Sequence, residues 1–263
     1  MVAIQEDKSL DRPSWLIRFL LAIIAAAEWM NVRFSKFGNP AVYDTAIFPW
    51  PPDIEREWRA IRRELDALLA RKDDLPSFQS IVPDVASINQ DQGWKTFLLM
   101  GYGMTSERNI ALCPETWRIL QKIPGLKTAM FSIFEPGKHL RAHRGFYNGV
   151  LRFHLGLIVP EPRDRIAIRV GDQLCHWEEG RALIFDDAYE HEAWNRTDKM
   201  RVILFVDFVR PLCFPANVMN WIVLHAAVFT PYIQEGYENH REWERSFHRS
   251  RKSMSGDRPT QSL

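Results

Sequence analysis

The chain has 263 residues, with 34 lysines and arginines against 33 aspartates and glutamates. That near-neutral balance offers no global field for nucleic acid, and the length suffices to bury a sizeable core. Three cysteines, Cys113, Cys175 and Cys213, have neither the number nor the spacing of a disulfide framework or zinc module, so they read as thiols in a reducing compartment.

The opening stretch MVAIQEDKSLDRPSW is mixed in charge and lacks the basic-then-apolar pattern of a secretory signal. Residues 14–30, SWLIRFLLAIIAAAEWM, predict a mostly apolar helix capped by Ser14. Its run between Arg18 and Glu28 is much shorter than the ~20 residues needed to cross a bilayer. An extended strap follows, NVRFSKFGNPAVYDTAIFPWPP, whose aromatics either pack on the domain or lie on a membrane surface. Residues 1–52 thus form a first segment.

From Asp53 to Arg71, apolar residues Ile54, Trp58, Ile61, Leu65, Leu68 and Leu69 recur mainly every three or four positions, which predicts one amphipathic helix. KDDLPSFQSIVPDVASINQDQGWK reads as loop, and WKTFLLMGYG as a strand entering a glycine turn. Residues 114–123 predict a short helix opened by Pro114. From Thr128 the runs TAMFSIFEP, GVLRFHLGLIV, RIAIRVGDQLCHWEEG, RALIFDD and RVILFVDFV are short and β-rich, separated by Pro-Gly, Asn-Gly, Gly-Asp and Glu-Gly turns. That pattern predicts an all-β sandwich or barrel core with flanking helices, mainly β within an α+β frame, in a domain over residues 53–212. After Pro211 a helix would place Val218, Trp221, Ile222, His225, Val228, Phe229 and Tyr232 on one face. The basic tail beyond it, REWERSFHRSRKSMSGDRPTQSL, reads as disordered and completes a third segment, residues 213–263.

Two histidines, His143 and His191, lie on separate strand-like segments, a spacing that allows neighbouring positions in one sandwich. Non-haem iron commonly takes two histidines and a carboxylate, leaving positions open for a chelating co-substrate and oxygen. Two positions after His143, where such a carboxylate would stand, the chain has Gly145. By residue type alone, two histidines so far apart are more often core or surface residues than metal ligands.

The blocks FSIFEPGKHLRAHRG, LRFHLGLIVP, WEEGRALIFDD, EHEAWN and RVILFVDFVRP, in that order, resemble the aspartyl/asparaginyl β-hydroxylase family of Fe(II)/2-oxoglutarate-dependent dioxygenases over residues 94–212. The resemblance implies a double-stranded β-helix, the jelly-roll or cupin-like core. In that family the first histidine stands in an HxG context, so the implied metal ligands are His143 and His191 alone. It further implies that Arg201, with Ser132, binds the distal carboxylate of 2-oxoglutarate, and that Arg152 and His154 engage its other end. Fe(II), 2-oxoglutarate and O2 are the implied cofactors, with ascorbate as an auxiliary reductant. Asp186 and Asp187 are candidates for orienting the ligands, whereas His139, His176 and His225 match no motif.

Family members acting on aspartyl or asparaginyl residues hold their substrate with basic side chains at two positions filled here by Met130 and Val150. That favours an apolar substrate. Bacterial lipid A and ornithine-lipid hydroxylases of the same family, which add oxygen at carbon 2 of a fatty acyl chain, are the resembled branch. Hydroxylation of an aspartyl or asparaginyl residue or a free amino acid, and a non-catalytic β-sandwich binding protein, stay open as alternatives. The expected setting is cytoplasmic, peripheral on the inner face of the cytoplasmic membrane, with contact through residues 14–50 and 216–250.

Overall fold

The computed structural model describes residues 15–256 apart from 88 and 90. Its strands are β1 (Val42–Tyr43), β2 (Trp94–Gly101), β3 (Met104–Thr105), β4 (Leu126–Phe134), β5 (His139–His143), β6 (Val150–Ile158), β7 (Ile166–Val170), β8 (Gln173–Cys175), β9 (Ala182–Phe185), β10 (His191–Asn195) and β11 (Arg201–Val209). They form a seven-stranded sheet, β1-β9-β6-β11-β4-β2-β3, facing a four-stranded sheet, β5-β10-β7-β8. Every named pairing is antiparallel. Neighbouring strands distant in sequence, such as β6 and β11, mark the crossovers of a jelly roll. This is the expected double-stranded β-helix with flanking helices.

The central strand β11 shows why its sequence is almost continuously apolar. One face, Val202, Leu204, Val206 and Phe208, packs in the cluster beneath the helices, and the other, Ile203 and Phe205, packs between the sheets. Both faces are buried, so the usual alternation of apolar and polar residues is lost. Arg201 and Asp207 are the two inward residues that break the apolar rule. Both lie at the cavity described below.

The predicted helix over residues 53–71 is two helices, Pro51–Arg56 and Trp58–Leu69. The interruption falls at Glu57, whose carboxylate is bound by Arg118 and Lys122. The stretch read as loop contains the short helix Phe78–Ile81 and a 3-10 turn at Pro83–Ser87. The strap folds inward: Tyr43, Phe48 and Trp50 are buried, with Phe48 and Trp50 both edge-on to Phe208. Of the two readings of the strap's aromatics, packing on the domain holds at these positions, and the membrane contact expected over residues 14–50 does not extend to them.

The tail differs too. It is helical from Pro231 to Gly256, and Phe247 is buried in the same cluster as Phe48, Phe131 and Val206, with Trp243 packed against it. The expectations for Ser14 as a cap and for residues 257–263 lie outside the described residues.

Two helices behave otherwise. Trp15–Arg33 and Ala216–Ala227 pack on each other, yet Trp15 and Trp29 of the first are 79% and 65% exposed, and Trp221 of the second is 60% exposed. The apolar face predicted after Pro211 exists, but it faces outward. Among the described residues, no helix is long and apolar enough to cross a membrane.

Candidate functional site

His143 ends β5 and His191 opens β10, and antiparallel pairing sets them directly opposite one another. Their rings lie 4.2 Å apart, centroid to centroid, tilted by 51°. Each Nδ1 meets a backbone carbonyl two residues earlier, Arg141 at 2.7 Å and Tyr189 at 3.0 Å. A carbonyl only accepts, so each Nδ1 carries the proton and each Nε2 keeps a lone pair. Burial first, then the Arg152 charge, lowers the pKa of His143 against its bond to Arg141; burial, then His143 and Arg152, brings His191 down to about 3. Two neutral imidazoles with the proton on Nδ1 are the form a metal binds.

Gly145 explains the absence of a carboxylate beside them. A Cβ there would lie 2.3 Å from Asp187 Oδ2, and the Gly145 N–H donates to the Asp187 carbonyl at 2.7 Å. The space for a side chain is already taken by Asp187. Among the described residues, no cluster of three or more histidine, cysteine or carboxylate side chains is placed to hold a metal. The site fits a metal through two protein ligands.

Arg201 is the second unusual group. It is 1% exposed, flanked by the rings of Phe134 at 3.8 Å and Trp177 at 4.4 Å, and its Nε and Nη1 have no hydrogen-bond partner among the described residues. Burial alone pushes its pKa down to about 9. A buried guanidinium without a carboxylate is costly, and an anion in the cavity would offset that cost. Ser132, on the neighbouring strand β4, accepts from Trp94 Nε1 at 3.0 Å and keeps its own hydroxyl proton to donate. These donors fit the distal carboxylate of a dicarboxylate.

His154 continues the set. Trp177 Nε1 donates to its Nδ1 at 3.3 Å, which leaves the proton on Nε2, a buried atom without a partner among the described residues. Burial and the charges of Arg152, Arg201 and His191 keep this ring neutral. Arg152 differs from Arg201, because its guanidinium is bound to Asp187 at 2.8 Å and Asp207 at 2.9 Å and lies over Phe205. Only the donors those carboxylates leave over can reach a ligand.

All six residues singled out from the sequence, Ser132, His143, Arg152, His154, His191 and Arg201, line one cavity of about 230 Å³. Met130 and Val150 line it as well. Asp187 is at the site, but its neighbour Asp186 is not a ligand-orienting group: it pairs with Arg210, which also binds Tyr43 and so pins the strap. His139, His176 and His225 lie elsewhere, bonded to Glu192 and to the carbonyls of Ile166 and Trp221.

Sequence reasoning passed over Trp177, which touches both Arg201 and His154, and Asp207, which completes the Arg152 pair. Trp177 follows β8 in an irregular stretch with no periodicity to mark it. Asp207 carried a signal: it is an acidic residue in an otherwise apolar, doubly buried strand.

A family model for aspartyl/asparaginyl beta-hydroxylase matches residues 55–211. An ornithine lipid ester-linked acyl 2-hydroxylase of Rhizobium tropici is 62% identical over 239 residues, covering 91% of this chain and 85% of that protein. A human aspartyl/asparaginyl beta-hydroxylase is 34% identical over 167 residues, covering 62% of this chain, which spans only 21% of the human protein's length. A Pseudomonas putida prolyl-4-hydroxylase structure is 17% identical, with a TM-score of 0.40 over 61% of this chain and 98% of that one; the fold assignment rests on the strand order itself. With the sheets, the histidine pair and these relatives together, the chain belongs to the aspartyl/asparaginyl β-hydroxylase family of enzymes.

Proposed function

We propose that this protein is an Fe(II)/2-oxoglutarate-dependent dioxygenase that hydroxylates carbon 2 of a fatty acyl chain in a membrane lipid of the ornithine-lipid class. The observation that carries the reading is a single cavity in which the unpaired Arg201 and the two histidine Nε2 atoms meet an apolar extension containing Met130 and Val150. His143 and His191 would hold the metal, while Arg201 and Ser132 bind the distal carboxylate of 2-oxoglutarate. His154 Nε2–H donates toward its other end. Phe134 and Trp177 keep water from the Arg201 pair, so the carboxylate finds its partner in a low-dielectric setting where charge-assisted bonds are strong.

When bound, Fe(II) supplies oxygen activation coupled to decarboxylation: one oxygen atom enters a substrate C–H bond, the other enters succinate, and carbon dioxide leaves. The protein's own residues position the reactants and exclude solvent. Hydroxylation of an aspartyl or asparaginyl β-carbon, the activity named for the human relative, needs cations to hold a carboxylate or amide. Met130 and Val150 supply none.

The outward faces of Trp15–Arg33 and Ala216–Ala227 support work at a membrane surface. Amphipathic indoles suit the interface, and Arg18, Arg33 and Lys36 flank the apolar side chains for anionic headgroups. The membrane contact is thereby narrowed to residues 15–37 and 214–229. Incubation with Fe(II), 2-oxoglutarate, oxygen and vesicles containing ester-linked ornithine lipid tests the reading. A lipid gaining one oxygen with matching succinate release supports it; turnover of an aspartyl peptide in place of the lipid overturns it.

A further inference from the structure

The cavity does not end at the histidine pair. It runs across the edge of the large sheet, floored by Leu98 and Met130 of β2 and β4 and covered by Phe78, Val82 and the C-terminal helix. That cover contains a buried histidine for which no function has been assigned. His240 is 3% exposed, lines the cavity, and has no hydrogen-bond partner at either ring nitrogen among the described residues.

The helix does not need His240 to hold it in place. Asn239 donates to the Ile81 carbonyl, Trp243 to the Asp74 carbonyl, Ser106 to Glu244, and His248 is bonded to Asn109. Phe247 anchors the same helix in the core. A buried donor and acceptor left without partners oppose folding, and a ligand that supplies the partners removes that opposition.

We propose that His240 is a substrate-recognition residue whose imidazole hydrogen-bonds an uncharged oxygen, an ester carbonyl or a hydroxyl, of the lipid lying in this channel. The inference rests on the acyl-lipid reading. The surroundings select the ligand class. Burial pushes the ring's pKa down to about 4, with Glu244 opposing the shift and His248 adding to it, so the ring is neutral near pH 7. A neutral imidazole brings one hydrogen bond but no counter-charge, so in an apolar wall it cannot by itself offset the desolvation of a phosphate or carboxylate, whereas it suffices for a carbonyl or hydroxyl. A plain hydrocarbon tail would leave both nitrogens as they are. What enters this branch therefore carries an oxygen.

The test compares wild-type protein with His240→Leu and His240→Gln, each loaded with Fe(II) and 2-oxoglutarate and given ester-linked ornithine lipid in phosphatidylglycerol vesicles. For His240→Leu the KM for lipid is expected to rise about tenfold, the loss of one buried hydrogen bond, with kcat little changed. Lipid affinity of the metal-free protein, read by tryptophan fluorescence, falls by the same factor. The melting temperature at pH 7.5 stays level or rises, because an unpaired polar group is gone, and His240→Gln recovers most of the affinity. A His240→Leu variant with wild-type KM and affinity overturns the inference, and so does one whose melting temperature falls together with its affinity, since that marks a packing role. If wild-type protein itself adds no oxygen to the lipid, the acyl-lipid reading fails and takes this inference with it; wild-type turnover beside an indifferent variant sinks this inference alone.

Discussion

A guanidinium walled in by Phe134 and Trp177, with no carboxylate beside it among the described residues, makes Arg201 the most consequential residue of the site. Replacing such a charge with an apolar side chain of similar length commonly stabilises a fold by roughly 1–4 kcal/mol. Arg201→Met is therefore expected to melt higher than wild type without co-substrate, while losing the rise that 2-oxoglutarate gives the wild-type protein, about 2.7 kcal/mol at a hundredfold excess over Kd. Scanning calorimetry with and without 2-oxoglutarate reads both effects. An unchanged response to 2-oxoglutarate in the variant would refute the anion-binding role.

The buried histidines make a second prediction, and its sign follows from their lowered pKa values. Between pH 6.5 and about 4 the unfolded chain takes up protons that folded His191 and His240 exclude, so stability falls as pH drops through that window. Each such histidine contributes ~2 kcal/mol of loss between pH 7 and 5. Urea unfolding at the two pH values should show a smaller loss in His240→Leu than in wild type. At this scale the sequence revealed residue types and spacing: the HxG context of His143 and the arginine opening β11 were legible. That Arg201 lacks a partner, and that Asp187 fills the space beside Gly145, were not, because both depend on side chains brought in by other strands.

The helices differ in how openly their sequences declare them. Trp58–Leu69 is written in its periodicity, whereas the break before it depends on Arg118 and Lys122 more than fifty positions away. The C-terminal helix hid behind its charges. Gly236, His240, Trp243 and Phe247 nonetheless fall four, three and four positions apart, a stripe of helical period that its polar majority obscured. The outward apolar faces of Trp15–Arg33 and Ala216–Ala227 lead to a test of their own. Trp29→Glu with Trp221→Glu should weaken sedimentation with anionic vesicles by tenfold or more, an order-of-magnitude expectation for removing two interfacial indoles. The melting temperature should be unchanged, since both side chains are largely exposed. Undiminished vesicle binding would remove these helices from the membrane reading.

Across the whole molecule, elements from both ends of the chain complete the catalytic core. Trp50 and Phe208 meet edge-on within the same cluster that Phe247 enters from the last helix. Phe247→Ala is expected to cost ~3 kcal/mol by emptying that position, measurable as a shift in the urea midpoint. A loss well under 1 kcal/mol would mean that the C-terminal helix is only loosely attached. Jelly-roll topology was readable from the turn-punctuated strands, but this convergence was not, since nothing local in the strap or the tail names the strand it will cover.

The same global view bears on the loop of residues 144–149, between His143 and β6. Asn31 of the first helix donates to Tyr147 and Asn148, Asn148 donates back to the Glu28 carbonyl, and Asn220 of the outward C-terminal-side helix donates to Gly149. At Gly149 a Cβ would lie 2.0 Å from Asn220 Oδ1, so this approach admits only glycine. Both exposed helices are thus bolted to the segment that carries the first histidine onward. Under the proposed seating on a bilayer, this frame would act as a depth gauge: the two helices that face outward are hydrogen-bonded to the loop that leaves His143, so the same contacts that set the helices would set how far the site lies from them.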